Sequence, residues 1–149
     1  MPDTILLVED DENDVLFMKM ALEMTGIRNP LQVASHGRQA LDYLTGANEY
    51  SNRLTYPLPG LVLLDLKLPY MNGLEVLRKM RLNPSLKETV VIILTSSQEE
   101  SDINKAYQLG TNAYVVKPPD IERLQTLVKA IKAFWLELNL VPRTSRTLA

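Results

Sequence analysis

The sequence contains no cysteine and only one histidine, His36, among its 149 residues. The absence of cysteine excludes disulfide bonds, catalysis by a thiolate and metal sites built on cysteine ligands. The chain also lacks a glycine-rich phosphate loop and a helix pattern carrying a phosphodonor histidine, so it does not fit a nucleotide-dependent histidine kinase. We expect His36 to be an ordinary loop residue.

Long hydrophobic runs and an excess of charge of one sign are also missing. The longest strongly apolar runs, 61–64 and 90–94, are too short to span a bilayer, and the start of the chain lacks the features of a signal peptide. The formal net charge is −2 and the sequence pI about 5.4. This balance gives no reason to expect nucleic acid or membrane as a partner, so we expect a cytoplasmic protein.

Five short apolar runs alternate with five helical patterns along the chain. The runs are continuous rather than alternating in polarity, which is typical of strands that are covered on both faces. The pattern predicts an α/β domain with a five-stranded parallel sheet and helices on both faces. The predicted strands are 4–8, 31–35, 61–65, 90–94 and 113–116.

The helical patterns differ in how clearly they begin and end. Leu16, Met20 and Met24 recur at a spacing of four and predict the apolar face of a first helix that ends at Gly26. Ser97 and Glu100 have the spacing of a capping box. The remaining predicted helices are 38–44, 74–82, one that ends at Gly110, and one from near Pro119 to about Leu138; residues 46–60 read as an unusually long loop.

Chemically active side chains follow four of the predicted strands. Ligands of open α/β sheets bind outside the carboxyl ends of the strands, so these side chains are expected to meet at one edge. The residues are Glu9, Asp10 and Asp11 after the first strand, Asp65 after the third, Thr95 after the fourth and Lys117 after the fifth.

Carboxylates gathered at one edge need a compensating positive charge. Two of them about 4 Å apart repel by roughly 4 kcal/mol at an effective dielectric constant near 20. The ligands are all oxygens, which favours a hard cation such as Mg²⁺. An aspartate can attack phosphorus and carry the phosphoryl group, and Mg²⁺, Lys117 and Thr95 could stabilise the charge that develops. We therefore interpret Asp65 as a nucleophile and not only as the end of a strand.

In these motifs the chain resembles the receiver domain of two-component response regulators. The resemblance covers about residues 4–138 and implies a flavodoxin-like receiver fold with strand order 2-1-3-4-5. It rests on the acid pair in LLVEDD, Asp65 in LLDLKLPYMNG, Thr95 in ILTSS and Lys117 in YVVKPP, four motifs in order.

The resemblance implies a role for each of these residues. Asp65 would be the phosphoacceptor, with Thr95 and Lys117 binding the phosphoryl group and Tyr114 acting with Thr95 as the switch. The Lys117–Pro118 bond resembles the cis peptide of the family. Mg²⁺ would be held by Glu9, Asp10, Asp65 and the main-chain carbonyl of Lys67. The pair is Glu-Asp rather than Asp-Asp, and Asp11 adds a third acid, which leaves the register of the metal ligands open.

We expect one receiver domain over 1–149, with 139–149 as a C-terminal extension and no output domain. Such a protein is not an enzyme beyond phosphorylating and dephosphorylating itself, and it signals through protein contacts. One apolar stripe of the last helix is expected to face the sheet, and the apolar surface beyond it indicates either a homodimer through this helix or an extension that folds back on its own domain. The apolar seam of this helix comprises Ile121, Leu124, Val128, Ile131, Trp135 and Leu138.

The loop at 46–60 and the end FWLELNLVP resemble single-domain regulators of bacterial phytochrome histidine kinases. This narrower resemblance implies a light-sensing kinase as the phosphodonor. Three other functions stay open: a flavodoxin-like cofactor binder, a phosphatase with an aspartyl-phosphate intermediate, and a pseudo-receiver that serves as a scaffold. The run EDDEND would repel a cofactor phosphate, and Lys67 occupies the position where such phosphatases carry a second acid.

Overall fold

A computed structural model of the chain describes residues 3–142. Its five strands form one parallel sheet in the order β2-β1-β3-β4-β5, as predicted. The predicted boundaries differ from those of the structure by one residue at most. The strands are β1 (Ile5–Val8), β2 (Leu31–Ala34), β3 (Leu61–Leu64), β4 (Val90–Thr95) and β5 (Ala113–Val116).

Helices cover both faces of the sheet. They are α1 (Glu12–Met24), α2 (Gly37–Thr45), α3 (Gly73–Leu82), α4 (Glu100–Gln108) and α5 (Ile121–Ile131). Leu6, Val62 and Ile93 point to the face covered by α2, α3 and α4, whereas Leu7 and Leu63 point to the face covered by α1 and α5. Successive side chains of each strand thus enter two separate cores, which explains the continuous apolar runs.

The predicted inner face of α1 is wrong. Leu16, Met20 and Met24 are 54%, 41% and 62% exposed, and the buried residues of the helix include Ala21 and Leu22. Helix α1 packs against both the sheet and α5, and the small Ala21 is fully buried at this contact. The exposed stripe has the same spacing as a stripe that faces the core, so the spacing of apolar residues alone predicted the wrong face of α1 as the buried one.

The start of α4 also differs from the prediction. The residue that precedes the helix is Glu99, whose side chain accepts no capping hydrogen bond. Instead of forming a capping box with Glu100, the buried Ser97 donates its hydroxyl to Asp102 at 2.6 Å. Ser97 therefore ties the β4–α4 loop to the first turn of the helix without capping it.

The long loop after α2 is well packed. A short 3₁₀ helix, Asn48–Tyr50, begins it, and Tyr50 is buried against Tyr43 and Tyr56 with ring centroids 5.1 and 5.0 Å away. Arg53 donates to the carbonyl oxygens of Tyr43, Leu44 and Tyr56 at 2.7–2.9 Å. Its guanidinium thus binds carbonyl groups of the last turn of α2, where the regular hydrogen bonds of the helix come to an end.

The last helix continues beyond α5 as a π-helical segment, Lys132–Leu138, and ends where it was predicted to end. The predicted seam largely faces the protein's own core: Leu124, Val128 and Ile131 are buried, and Trp135 packs against the same cluster. The chain then turns back so that Val141 also contacts this cluster. The extension thus folds back as far as Pro142, and the part of it at 143–149 lies outside the described residues.

Apolar side chains remain on the outer side of this end of the chain. Phe134, Leu138 and Leu140 are 51%, 73% and 93% exposed. Within residues 3–142, none of the helices combines the length and the apolar character that a membrane crossing requires.

Candidate functional site

The acidic residues after β1 are held at the edge of the sheet. The backbone N–H of Glu9 donates to Ala34 at 2.9 Å, which extends the β1–β2 pairing by one residue and buries the Glu9 side chain. Asp10 is exposed. Asp11 begins α1 as its N-cap and accepts from the backbone N–H groups of Asn13 and Asp14. The three consecutive acids therefore differ in exposure, and Asp11 is the one whose side chain is used as a helix cap.

Asp65 lies at the end of β3 with only 5% of its surface exposed. Its backbone N–H donates to Val8 at 3.1 Å, and its Oδ1 accepts from the backbone N–H of Lys67 at 3.1 Å. Gly73 passes directly over this segment, since a Cβ atom there would lie 2.2 Å from the carbonyl oxygen of Asp65. Only glycine permits this approach, which fixes the loop around Asp65.

Three carboxylates form a group that fits a divalent cation. Oxygen atoms of Glu9, Asp10 and Asp65 all lie within 4.8 Å of one another. The donor set is purely oxygen, as hard cations prefer, and two of its members are buried. Asp11 is not in this group because its side chain caps α1, so the structure favours the Glu9–Asp10 register. The backbone N–H of Lys67 contacts Asp65 Oδ1, which brings the main chain of Lys67 close to this group.

Lys117 projects its ammonium group into the same acidic group. Its Nζ lies 2.5 Å from Glu9 Oε1, 2.9 Å from Asp65 Oδ2 and 2.9 Å from Asp14 Oδ2. Asp14 was not predicted as a site residue. The pairing depends on a lysine 103 residues away, and no local pattern marks it. The backbone N–H of Lys117 donates to the carbonyl oxygen of Thr95 at 2.8 Å, so the pairing of β4 with β5 fixes the position of the Lys117 backbone.

The predicted cis Lys117–Pro118 bond is wrong, because no peptide bond of residues 3–142 is cis.

Burial and ion pairing act in opposite directions on the pKa of both Glu9 and Lys117, and in each case the net result is a raised pKa. Burial raises the pKa of Glu9 to about 7, although the hydrogen bond from Lys117 opposes the shift. Burial alone would lower the pKa of Lys117, but its hydrogen bonds to Glu9, Asp14 and Asp65 outweigh this and raise its pKa above the ordinary value. Lys117 therefore stays an ammonium throughout the physiological pH range.

Thr95 is fully buried at the end of β4. Within residues 3–142, every buried side-chain oxygen or nitrogen has a hydrogen-bond partner except the Oγ1 of Thr95. Most buried hydroxyls are paired, so this one is a candidate for binding an oxygen that is not part of the protein.

Tyr114 connects β5 to the loop that follows Thr95. Its hydroxyl donates to the carbonyl oxygen of Ser97 at 3.0 Å, and burial raises its pKa. The ring is partly buried and packs against the core formed with α2, α3 and α4. A movement of the β4–α4 loop would break this hydrogen bond, so the geometry suits the predicted switch role.

Together these groups can receive an anion with several oxygens. Asp65 supplies a buried nucleophilic oxygen, and Lys117 supplies a positive charge 2.9 Å away. Thr95 offers an unpaired hydroxyl, and the three carboxylates offer oxygen ligands to a cation. Such an arrangement suits phosphoryl transfer to a carboxylate.

Comparison with known proteins agrees with this reading. The family model described as response regulator receiver domain matches residues 5–129. The response regulator Rcp1 of Synechocystis is 38% identical over 141 residues, which cover 95% of this chain and 94% of Rcp1.

Two solved structures are similar over almost their whole length. The phosphorylated cyanobacterial phytochrome response regulator RcpA superposes with a TM-score of 0.89 at 34% identity, covering 95% of this chain and 99% of RcpA. The Mn²⁺-bound form of Rcp1 gives a TM-score of 0.86 at 38% identity, with the same coverage. The fold is thus the flavodoxin-like fold of receiver domains, and this result sets aside a cofactor-binding flavodoxin. The chain belongs to the response regulator receiver domain family.

Proposed function

We propose that Asp65 accepts a phosphoryl group from a sensor histidine kinase and that the chain passes this signal on through protein contacts. The observation that carries the proposal is the position of Lys117, whose ammonium group bridges Asp65 and Glu9 beside the three-carboxylate group. Membership of the receiver family supports a histidine kinase as partner and a divalent cation as cofactor.

In the proposed transfer, an Asp65 carboxylate oxygen attacks the phosphorus atom of a phosphohistidine. The new oxygen–phosphorus bond forms as the phosphorus–nitrogen bond breaks, and the electron pair of that bond stays on the imidazole. Lys117 then binds an oxygen of the phosphoryl group, and the Thr95 hydroxyl donates to another. The buried hydroxyl thereby gains the partner that it lacks.

We propose Mg²⁺ as the cation, held by carboxylate oxygens of Glu9, Asp10 and Asp65 and by the main-chain carbonyl of Lys67. When bound, Mg²⁺ neutralises charge on the phosphoryl oxygens and so lets an anion enter an acidic site. The similar response regulator Rcp1 has a Mn²⁺-bound form, which supports a divalent cation as a ligand of this chain. The same groups would position a water molecule for slow dephosphorylation, which is the only catalysis we assign to the chain.

The output begins when Thr95 turns toward the phosphoryl group. The β4–α4 loop would follow, and the hydrogen bond from Tyr114 to the carbonyl of Ser97 would break. We propose that a downstream protein recognises this change. We also propose that the chain forms a homodimer through its last helix, which responds to the same change. The exposed Phe134, Leu138 and Leu140 support such an interface. A monomer in sedimentation experiments, both with and without phosphorylation, would argue against the homodimer.

We further propose a phytochrome-type kinase as the phosphodonor and a cytoplasmic location. The phytochrome connection comes from RcpA, a phytochrome response regulator that matches this chain over 95% of its length. Phosphotransfer from a purified phytochrome kinase, compared with kinases of other sensor types, tests this part separately.

Intact-mass analysis after incubation with a small phosphodonor and Mg²⁺ tests the proposed function. We expect the added mass of one phosphoryl group, lost in Asp65→Asn and when the cation is chelated. Asp120→Asn is a matched control, because Asp120 caps α5 outside the carboxylate group. No added mass on the wild-type protein would favour the pseudo-receiver alternative, and added mass on Asp65→Asn would refute Asp65 as the acceptor.

A further inference from the structure

Asp14 is the third carboxylate that forms an ion pair with Lys117, and it lies outside the group of cation ligands. It sits in the first turn of α1, where its backbone N–H is held by the Asp11 cap at 3.0 Å. Its Oδ2 lies 2.9 Å from Lys117 Nζ, and its side chain is 41% exposed. The pair joins the first turn of α1 to the residue that directly follows β5.

The other two partners of Lys117 have a second role in the proposed function. Glu9 and Asp65 belong to the carboxylate group that would bind the divalent cation, and Asp14 does not. Once their oxygens bind a cation, these two carboxylates attract the ammonium group less. The cation also repels the ammonium group directly, because both are positive.

Lysine is poorly suited to stay in place under these conditions. Its ammonium group is strongly hydrated and sits on a flexible stem of four carbons, so it leaves a site easily when its ion pairs weaken. The backbone of Asp14 is held by the Asp11 cap, and its carboxylate is outside the group of cation ligands, so it can retain Lys117 when the other partners are occupied.

We infer that Asp14 is a positioning residue that keeps the ammonium group of Lys117 beside Asp65 while the cation is bound. This inference rests on the proposed function, because it concerns the cation-loaded state in which Asp65 reacts. Asp14 is outside the carboxylate group that would hold the cation, so it acts through Lys117.

The first test measures the rate of phosphorylation by a small phosphodonor in the presence of Mg²⁺. A partly exposed ion pair of this kind corresponds to a change of about two- to fivefold, so Asp14→Asn and Asp14→Ala should slow phosphorylation by that factor. Asp14→Glu restores the carboxylate and should recover most of the rate. Glu12→Gln is the matched control: Glu12 is exposed in the same turn and is not a partner of Lys117, so its rate should equal that of the wild type.

The second test observes Lys117 itself, by NMR of its ¹⁵N-labelled ammonium group, with Mg²⁺ and without a phosphodonor. Such signals are visible when ion pairs slow exchange with water. In the wild type and in Glu12→Gln the signal should persist when Mg²⁺ is added, whereas in Asp14→Asn it should broaden or disappear.

The outcomes separate the inference from the proposed function. An unchanged or faster rate in Asp14→Asn, or a Lys117 signal that persists in this variant with Mg²⁺, would overturn the role of Asp14. If Asp65→Asn still abolishes phosphorylation in the same experiments, the proposed function stands while the inference fails. Phosphorylation that survives in Asp65→Asn would remove the basis of both.

Discussion

Neutralising Asp10 should make the protein more stable without a cation and less responsive to one. The residue is exposed, and its carboxylate oxygen lies within 4.8 Å of carboxylate oxygens of Glu9 and Asp65. Unlike those two residues, Asp10 is not an ion-pair partner of Lys117. Asp10→Asn therefore removes repulsion from the site and leaves the three ion pairs of the lysine intact.

The expected size of the effect follows from the distances. At 4.8 Å, two unit charges repel by about 0.9 kcal/mol in a water-like dielectric and by about 3.5 kcal/mol at an effective dielectric constant of 20. Asp10 is exposed, which places its interactions near the lower value, and the raised pKa of Glu9 reduces the charge of one partner at neutral pH. Two such pairs give a gain of about 1 kcal/mol in the free energy of unfolding.

Urea denaturation with a chelator and with excess Mg²⁺ measures both parts of this prediction. Without the cation, Asp10→Asn should exceed the wild type by about 1 kcal/mol in the free energy of unfolding. With Mg²⁺ at about 100 times its dissociation constant, the wild type should gain about 2.7 kcal/mol and the variant much less, so their order reverses.

Asp11→Asn is the matched control because it removes the same charge one residue away. Asparagine caps helices as well as aspartate does, so the start of α1 should persist. This variant should keep its full response to Mg²⁺. A loss of the response in Asp11→Asn, or an Asp10→Asn protein that is less stable without the cation, would refute the electrostatic account of the site.

Three further substitutions should change stability in directions that the structure fixes, each measured by urea denaturation without a cation. Thr95→Val should stabilise the protein by about 1 kcal/mol because it removes a buried hydroxyl without a partner; destabilisation would mean that the hydroxyl is already paired. Arg53→Lys should cost about 2 kcal/mol, since an ammonium group cannot serve the carbonyls of Tyr43, Leu44 and Tyr56 together, and a neutral result would contradict this role of the arginine. Tyr70→Gly should stabilise by about 0.5–1 kcal/mol, because the tyrosine has a φ of 68° and is 97% exposed; a loss of stability would show that its side chain makes a compensating contact.

The sheet and the centre of the site could be predicted from the sequence for one physical reason. In a parallel sheet all strands end at the same edge, so residues that directly follow β1, β3, β4 and β5 must converge. Glu9, Asp65 and Lys117 were predicted from that rule and from the family motifs, and the structure brings them into contact. None of these contacts required knowledge of how the helices pack.

The errors concern features that depend on helix packing or on distant partners. Helix α1 has apolar residues on more than one side, and the choice of Ala21 over Met20 for the core depends on the closeness of the sheet and α5. Asp14 was not predicted as a site residue because its partner is 103 residues away and no local pattern connects the two. The hydrogen bonds from Arg53 to the carbonyl oxygens of Tyr43, Leu44 and Tyr56 likewise join residues that no helical or strand period relates.

Identification of the phosphorylated residue tests the central claim most directly. An acyl phosphate can be reduced by borohydride to an alcohol, which converts a phosphorylated aspartate into homoserine, and peptide mapping then locates it. After reaction with a phosphorylated histidine kinase or a small phosphodonor, the account predicts homoserine at position 65 and at no other aspartate. Homoserine at Asp10 or Asp14, or a phosphate ester on Thr95 with Asp65 unmodified, would contradict it.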